Sequence, residues 1–590
     1  MLKKFLYILW ILILGFLIIF GLKSGSYKTF ISSMENRSFD IRQSYISSIG
    51  LKQHNENIVI VAIDDASYEY VLEKYGEWPL DRSIYAKLTD YIELQSPKSI
   101  AFDLMFVKSM KSDTNADNDL INIFKKYDNV YTAMNLDNQE EDLRTPVQLP
   151  DKLSVNVINK SKNIDTKFYE FTNCRSILEG ILENTSNIGM INVLRGEDGV
   201  LRQMPLFLNY NGKYYPQLAL KVALDSLGLK DKKDFEINKN GELILGDKKI
   251  PVDSDGSVIL NWYGSAGTYE HISLYKLLKA MEGDENYKFD FKDKIVYFGA
   301  TVSSLSDIKT TPVDKVFPGV EVQTTYVNNI LDNSIIKKAS PAWNIGITLI
   351  LVLLVIAIVL MLDSMPVIIG LTLSLYFAHV ILCYYMMIHK NLWIEIVFPI
   401  TYTIIAFIIT VIIKYLIKSR DFDKQYKLAT TDGLTELYNH RYFQEQMQMF
   451  CTNAKRYENT FSLIILDIDF FKKFNDNFGH QSGDAVLRQV AMVLKKNVRS
   501  SDIVCRYGGE EMSIILPNAN EDEAIQIAQK LCEIVSSQKF KLSNNRESNV
   551  TISLGVATYG DADGTESSKI IESADKRLYN AKKNGRNRVN

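Results

Sequence analysis

Two pairs of carboxylates stand where hydrophobic patterning gives little reason for them. The run Phe461-Ser462-Leu463-Ile464-Ile465-Leu466 reads as a buried strand and ends in Asp467-Ile468-Asp469. Residues i and i+2 of a strand project to the same side, so both carboxylates are expected on one face of its end. The second pair, Glu510-Glu511, lies in Arg506-Tyr507-Gly508-Gly509-Glu510-Glu511-Met512, between the β-type runs Ile503-Val504-Cys505 and Ser513-Ile514-Ile515-Leu516. A Gly-Gly pair between two such runs predicts a hairpin, because glycine enters the φ > 0 turn without a Cβ clash. Bare glycines also let another group approach the backbone closely. Taken alone, the heptapeptide fits a solvated hairpin with charged gatekeepers equally well. Taken together, the two pairs predict an oxygen-only site suited to Mg²⁺ and substrate phosphates, the layout for two-metal displacement at a phosphoryl group.

Further blocks surround these acids in order. They are Asp432-Gly433-Leu434-Thr435, then Leu466 to Asp476, Phe478-Gly479-His480, and Gly483-Asp484. After the hairpin come Ala574-Asp575-Lys576-Arg577-Leu578-Tyr579, Ala581-Lys582 and Gly585-Arg586-Asn587. On these motifs residues 431–590 resemble a GGDEF-family diguanylate cyclase domain over its full length. The resemblance implies an α+β, palm-like fold that converts two GTP to cyclic di-GMP and two pyrophosphates, acting as a homodimer. It implies Asp467, the Ile468 carbonyl, Glu510 and Glu511 as Mg²⁺ ligands, with Mn²⁺ as the alternative ion. Glu510 is also the implied proton acceptor. A carboxylate bound to Mg²⁺ is a poor base, so the division of duties between Glu510 and Glu511 stays open. Asn475 and Asp484 match the guanine-reading positions, and His480 lies between them as a nucleotide neighbour. Lys472, Lys582 and Arg586 match phosphate contacts. Arg499 and Asp502 match the R-x-x-D site at which cyclic di-GMP inhibits its own synthesis. Met512 stands where the family usually has Phe, a core position that Met fills softly. A domain that binds GTP or cyclic di-GMP without turnover is the alternative.

The rest of the chain must place this module. At 590 residues it is too long for one core, and several domains are expected. A net charge of −3, from 67 basic and 70 acidic residues, argues against a polyanion-wrapping protein, so no nucleic-acid partner is expected. Apolar residues fall in blocks. Residues 1–22 read as a membrane anchor behind a basic flank, with a cleaved signal peptide as the alternative. Pro341 to Leu362, Pro366 to Ile388 and Trp393 to Ile417 are each long enough to span, and the short connectors demand antiparallel neighbours. No central charge marks an ion pathway in them, which disfavours a transporter. Lys414, Lys418, Arg420, Lys424 and Lys427 flank the last block and predict a cytoplasmic C-terminus. Residues 418–430 contain no Pro or Gly and are expected to continue that helix as a stalk, with Tyr415, Phe422 and Tyr426 as a possible dimer seam.

Between the anchor and the later spans, residues 23–340 alternate strand and helix patterns and predict an α/β domain. Buried strands are expected at Asn57 to Ile63, Ser99 to Asp103 and Lys294 to Gly299, and a helix from Asp81 to Leu94. This region resembles the second of the CHASE extracellular sensor families. The matches are Ala62-Ile63-Asp64-Asp65-Ala66-Ser67, Trp78-Pro79, Ala101-Phe102-Asp103, Asp198-Gly199-Val200-Leu201-Arg202, Lys294 to Ala300, Thr311-Pro312 and Pro318-Gly319-Val320-Glu321. That implies an unknown extracellular ligand. Asp113, Asn115, Asp117 and Asp119 have calcium-loop spacing, but Asn118 and Phe124 replace the required Gly and Glu, which favours a loop entering a helix near Asp117. Asp64-Asp65 fits a ligand contact or a strand-end turn. Of five cysteines only Cys174 falls in this portion, so no intrachain disulfide is expected there.

Overall fold

The computed structural model describes residues 25–107, 114–138, 148–162, 164, 169–302, 308–543 and 546–590. The proposed anchor at 1–22 and Asp113 lie outside them. The chain forms two compact units, 1–411 and 412–590.

In the first unit, strand Ile58–Ile63 is buried at every position. Ile58, Ile60 and Ala62 enter one apolar core, and Val59, Val61 and Ile63 enter another on the opposite face. Burial on both faces is what a parallel sheet between helices requires. The sheet runs Glu270–Ser273, Ile58–Ile63, Ile295–Ala300, Ser99–Phe102, Val130–Asp137. Those five are parallel; Ile188–Met190 adds parallel and Asn173–Arg175 antiparallel to the last. Helices Arg82–Glu93, Thr114–Lys126 and Leu274–Met281 cover one face, and Leu218–Ser226 and Gly319–Leu331 the other. Asp64 is the N-cap of helix Asp65–Tyr75 and accepts from the Ser67 N–H and the Ser67 and Ser273 hydroxyls, so the strand-end turn accounts for it. Asp117 lies in the first turn of its helix and is ion-paired with Arg82 at 2.5 Å.

Among the described residues three helices are long and apolar enough to cross a membrane: Pro341–Met361, Met365–Lys390 and Val397–Thr430. The last begins four residues later than the apolar block suggests. Leu392–Trp393 instead pairs with Lys337–Lys338 as a short parallel ladder. A buried carboxylate sets the true start. Glu35, on helix Gly25–Ser48, accepts from the Ile396 and Val397 N–H groups and from the Trp393 indole, each at 2.9 Å. The Arg42 guanidinium pairs with Glu35 at 2.7 Å and donates to the Ile394 carbonyl at 2.9 Å. Both side chains are almost fully buried. Two residues away, Asp40 receives two bonds from Arg202, at 2.7 and 2.6 Å, while Arg202 also grips Asp198. Helix Gly25–Ser48 is therefore bolted both to the α/β domain and to the first turn of the last apolar helix. That helix runs unbroken for 34 residues, about 50 Å at 1.5 Å per residue.

In the second unit, four antiparallel strands lie in the order Ile503–Gly508, Glu511–Pro517, Phe461–Ile468, Ile552–Thr558. Helices Phe471–Phe478, His480–Asn497 and Glu521–Ser537 pack with Ile464, Leu466, Ile514 and Leu554 on one face. Helices His440–Tyr457 and Ser567–Lys583 pack with Leu463, Ile465 and Ile515 on the other. Met512 is fully buried in the first of these cores.

Candidate active site

The site lies at the end of the central strand pair. Antiparallel register sets Asp467 directly opposite Glu511, and the hairpin turns at Gly509-Glu510, with Gly509 at φ 42°. A Cβ on Gly508 or Gly509 would meet open space, so the turn leaves its backbone uncovered. Arg506 braces this turn: its guanidinium donates to the Gly509 carbonyl at 3.0 and 2.8 Å and to Asp432 at 3.1 Å. Asp432 in turn accepts from Thr435, both N–H and hydroxyl.

Asp469 does not join the site. One of its oxygens accepts from the Thr551 hydroxyl and the Asn587 N–H, the other from the Ser553 hydroxyl. The strand ends at Ile468, so the i, i+2 expectation fails one residue beyond its range. Asp469 serves to tie the turn at Arg586-Asn587 to the sheet.

Lys582, the penultimate residue of helix Ser567–Lys583, places its ammonium 2.9 Å from Asp467. Burial and the charges of Glu510 and Asp469 hold the Asp467 carboxyl above its ordinary pKa, with Lys582 opposing them. Burial and the Asp467 charge do the same to Glu511, and burial does so to Asp575. Among the described residues no three acidic, His or Cys side chains are gathered tightly enough to hold an ion as they stand. The donor set nonetheless fits a hard divalent ion by chemistry: oxygens only, mutually repelling, with one ammonium standing where metal charge would be.

The remaining candidates flank this centre. Arg586, at φ 62°, lays its guanidinium 4.2 Å from the ring centroid of exposed Phe470, just past the strand end. Lys472 is exposed on helix Phe471–Phe478, and His480 is exposed at the start of His480–Asn497. Between those helices Asn475 Oδ1 is buried without a hydrogen-bond partner, and a Cβ on Gly483 would overlap it. Asp484 is half-buried on the next residue. Arg499 and Asp502 close a separate turn, where Asp502 accepts from the Arg499 N–H at 2.8 Å and the Arg499 residue is exposed.

Comparison with known proteins decides the family. The description "CHASE2 domain" matches residues 11–361, more than half of the chain. The chain belongs to the CHASE2 domain family. A second description, "Diguanylate cyclase, GGDEF domain", matches residues 429–588, so this CHASE2 chain carries a GGDEF domain at its C-terminal end. Over 171 residues it is 44% identical to the response regulator PleD of Caulobacter vibrioides, covering 29% of this chain and 37% of PleD. Diguanylate cyclase DosC of Escherichia coli is 39% identical over 158 residues, 27% of this chain and 34% of DosC. The CHASE2 chain thus spans about a third of the length of these relatives. Among solved structures, the coiled coil and GGDEF domain of DgcB from Caulobacter crescentus, in complex with c-di-GMP, shares 34% identity. It covers 30% of this chain and 92% of that one, with a TM-score of 0.29.

Three features of the GGDEF domain escaped reading by residue type. Asp575 faces Lys582 and Glu511 from a helix 64 positions downstream of the hairpin acids, a distance no local pattern bridges. The Arg506–Asp432 brace joins two motifs that had been legible only as separate blocks. The tie made by Asp469 depends on the end of the strand, the least predictable part of an element.

Proposed function

We propose that this chain is a membrane-bound diguanylate cyclase, joining two GTP into cyclic di-GMP with release of two pyrophosphates. The observation that carries the reading is the pairing of Asp467 with Glu511 beneath an uncovered Gly508-Gly509 turn. Asp467, the Ile468 carbonyl, Glu510 and Glu511 would hold Mg²⁺, or Mn²⁺ in its place. The chemistry such an ion would supply is polarisation of the attacking 3′-hydroxyl and screening of the phosphates. Each 3′-hydroxyl attacks the other nucleotide's α-phosphate, its proton passes to Glu510 or Glu511, and pyrophosphate leaves in line. Lys582, Arg586 and Lys472 bind phosphate oxygens, with His480 beside the nucleotide. Asn475 and Asp484 read guanine, and the unpartnered Asn475 Oδ1 supplies an acceptor for an N–H that adenine lacks. Two domains must face each other with one GTP apiece, so the active species is a homodimer.

A GTP- or cyclic di-GMP-binding module without turnover is the competing reading, favoured by the Lys582 ammonium already seated on Asp467. The full chain in nanodiscs with Mg²⁺ and GTP decides between them. Accumulation of cyclic di-GMP is expected; bound GTP without product would sink the cyclase.

Two consequences concern substrate and metal. Gly483→Ala pushes Asn475 aside, so KM for GTP should rise about tenfold, ~1.4 kcal/mol of binding, with kcat little changed. The pH dependence follows from the raised pKa values of Asp467, Glu511 and Asp575. As pH falls these groups take up protons before an ordinary carboxyl does, so Mg²⁺ affinity should drop above the usual carboxylate range. In metal-free buffer the sign reverses for stability, because the folded state binds those protons more tightly than the unfolded chain. Calorimetric Mg²⁺ titrations and thermal melts across a pH series measure both.

Regulation is proposed at two places. Arg499 and Asp502 form an inhibitory site for cyclic di-GMP, the exposed Arg forking to guanine acceptors or phosphate. Arg499→Ala should abolish product inhibition and leave initial rates intact; unchanged inhibition refutes the assignment. The sensor lies outside the cell and the GGDEF domain in the cytoplasm, with four spans counting residues 1–22. The stimulus reaches the last apolar helix through Arg202–Asp40 and Glu35–Arg42.

A further inference from the structure

Outside the GGDEF domain, His271 has both ring nitrogens committed to acceptors. It lies on Glu270–Ser273, the edge strand of the α/β sheet. Its Nδ1 is 2.8 Å from the Tyr269 carbonyl, and its Nε2 is 3.3 Å from a Glu321 carboxylate oxygen. A neutral imidazole carries one N–H, so either tautomer turns a lone pair towards one of these acceptors. Only the imidazolium satisfies both. The His271 side chain is 25% exposed, so water reaches the ring, whereas that of Glu321 is 1% exposed. A carboxylate so enclosed depends on its partners. Besides the histidine, the Gly267 N–H donates to its two oxygens, at 2.9 and 3.0 Å.

The charges around the ring favour its proton. Glu321 comes from the first turn of helix Gly319–Leu331, and Asp64 from the end of strand Ile58–Ile63. Tyr269 is uncharged, its hydroxyl held well above the ordinary value by burial. His54 meets the Tyr269 ring edge-on at 5.3 Å and is the other titratable ring on this wall. Glu270, the preceding residue, points to the opposite face and is paired with Lys294 at 3.0 Å. Burial lowers the His271 pKa, but the Glu321 bond and charge, the Tyr269 carbonyl and the Asp64 charge outweigh it. The result lies above the ordinary 6.5.

Glu321 also fixes what this proton controls. Gly267, at φ 88°, belongs to the turn of residues 264–268. Within it the Thr268 hydroxyl donates to the Ser265 carbonyl at 2.6 Å, and the Ala266 N–H donates to Asp314 at 3.3 Å. The chain entering the turn is clamped independently. Asn329, on the helix that carries Glu321, accepts from the Asn261 N–H at 2.6 Å and donates to its carbonyl at 2.9 Å. The Trp262 N–H donates at 3.1 Å to Gln43 of helix Gly25–Ser48, the residue after Arg42. With the imidazolium present, Glu321 ties both Gly267 and His271 to helix Gly319–Leu331. Once the proton leaves, a buried carboxylate faces a ring lone pair, and its relief is to open the turn towards water.

We propose that His271 and Glu321 form a proton-operated latch through which acidity on the sensor side sets cyclase output. The latch is closed while the ring is charged. It opens when the ring is neutral, freeing the 264–268 turn and, through Trp262 and Gln43, acting on the helix that carries Glu35 and Arg42. A raised folded-state pKa means that the latch stabilises the turn fully below the ordinary histidine value. That contribution is lost as pH rises through the folded value. The link to output rests on the cyclase and topology reading given above; the latch itself does not.

The test uses the full chain. In nanodiscs, the histidine ring resonances are followed from about pH 5 to about pH 8, with His271→Gln identifying the signal. It should titrate above 6.5, and Glu321→Gln should return it to that value or below. Amide exchange in residues 264–268, corrected for the chemical effect of pH, reads the turn. Protection should fall about tenfold for each pH unit between the folded and ordinary values, and ignore pH in His271→Gln. In proteoliposomes with the GGDEF side held at one pH, varying the sensor side should shift cyclic di-GMP output about fivefold or more. A His271 that titrates at or below 6.5, turn protection that ignores pH in the native chain, or output that ignores sensor-side pH would each overturn the proposal. Absence of cyclic di-GMP at every pH would strike the cyclase reading instead, with the latch still judged by titration and exchange.

Discussion

Asp467→Asn is expected to cut cyclic di-GMP synthesis on the order of a thousandfold, ~4 kcal/mol of transition-state stabilisation. The substitution keeps shape and removes one negative charge from the set that includes Glu510 and Glu511. Its effect on stability should have the opposite sign. The Asp467 pKa is raised even with Lys582 attached, so at neutral pH its charged form works against folding. The neutral isostere should therefore raise Tm in metal-free buffer while activity disappears. Steady-state assays and melts on one preparation separate this from simple misfolding, in which both would fall together.

Glu35→Ala should have the largest effect outside the GGDEF domain. It leaves the Arg42 guanidinium buried and unpaired, a loss of about 3–5 kcal/mol for a pair this enclosed. It also strips the acceptor from the Ile396 and Val397 N–H groups at the start of the last apolar helix. Glu35→Leu with Arg42→Met removes both charges and should recover much of the stability. It should not recover the coupling, since those two N–H groups stay uncapped. The measurement is thermal stability together with the sensor-side pH response of cyclase output in proteoliposomes. A double variant that responds as the native chain does would show that the signal travels elsewhere.

How much could be read in advance differs between the two units. The strands carrying Asp467 and Glu511 announce themselves by largely apolar runs, and Gly508-Gly509 mark the turn that joins Ile503–Gly508 to Glu511–Pro517. The antiparallel pairing of Phe461–Ile468 with Glu511–Pro517, which sets those two residues opposite each other, joins strands far apart in the sequence and is not given by that turn. In the sensor, strands Ile58–Ile63 and Ile295–Ala300 are legible for the same reason: burial on both faces requires a continuous apolar run. The many short strands between 156 and 273 are not, because two to four residues give no period to detect. Glu35, Asp40 and Arg42 look like the polar side of an ordinary helix, and nothing nearby in sequence suggests that their partners lie at 202 and 393–397. Likewise Asn475 and Gly483 could be matched to a family pattern, but not the tight fit between them, which depends on how two helices meet at Gly479.

The most direct test of the central claim is Mn²⁺ binding by electron paramagnetic resonance in the full chain, with a GTP analogue lacking the 3′-hydroxyl. Wild-type protein should show nucleotide-dependent Mn²⁺ immobilisation that is lost in Asp467→Asn and in Glu511→Gln. Immobilisation unchanged in both variants would contradict a metal site built from these acids.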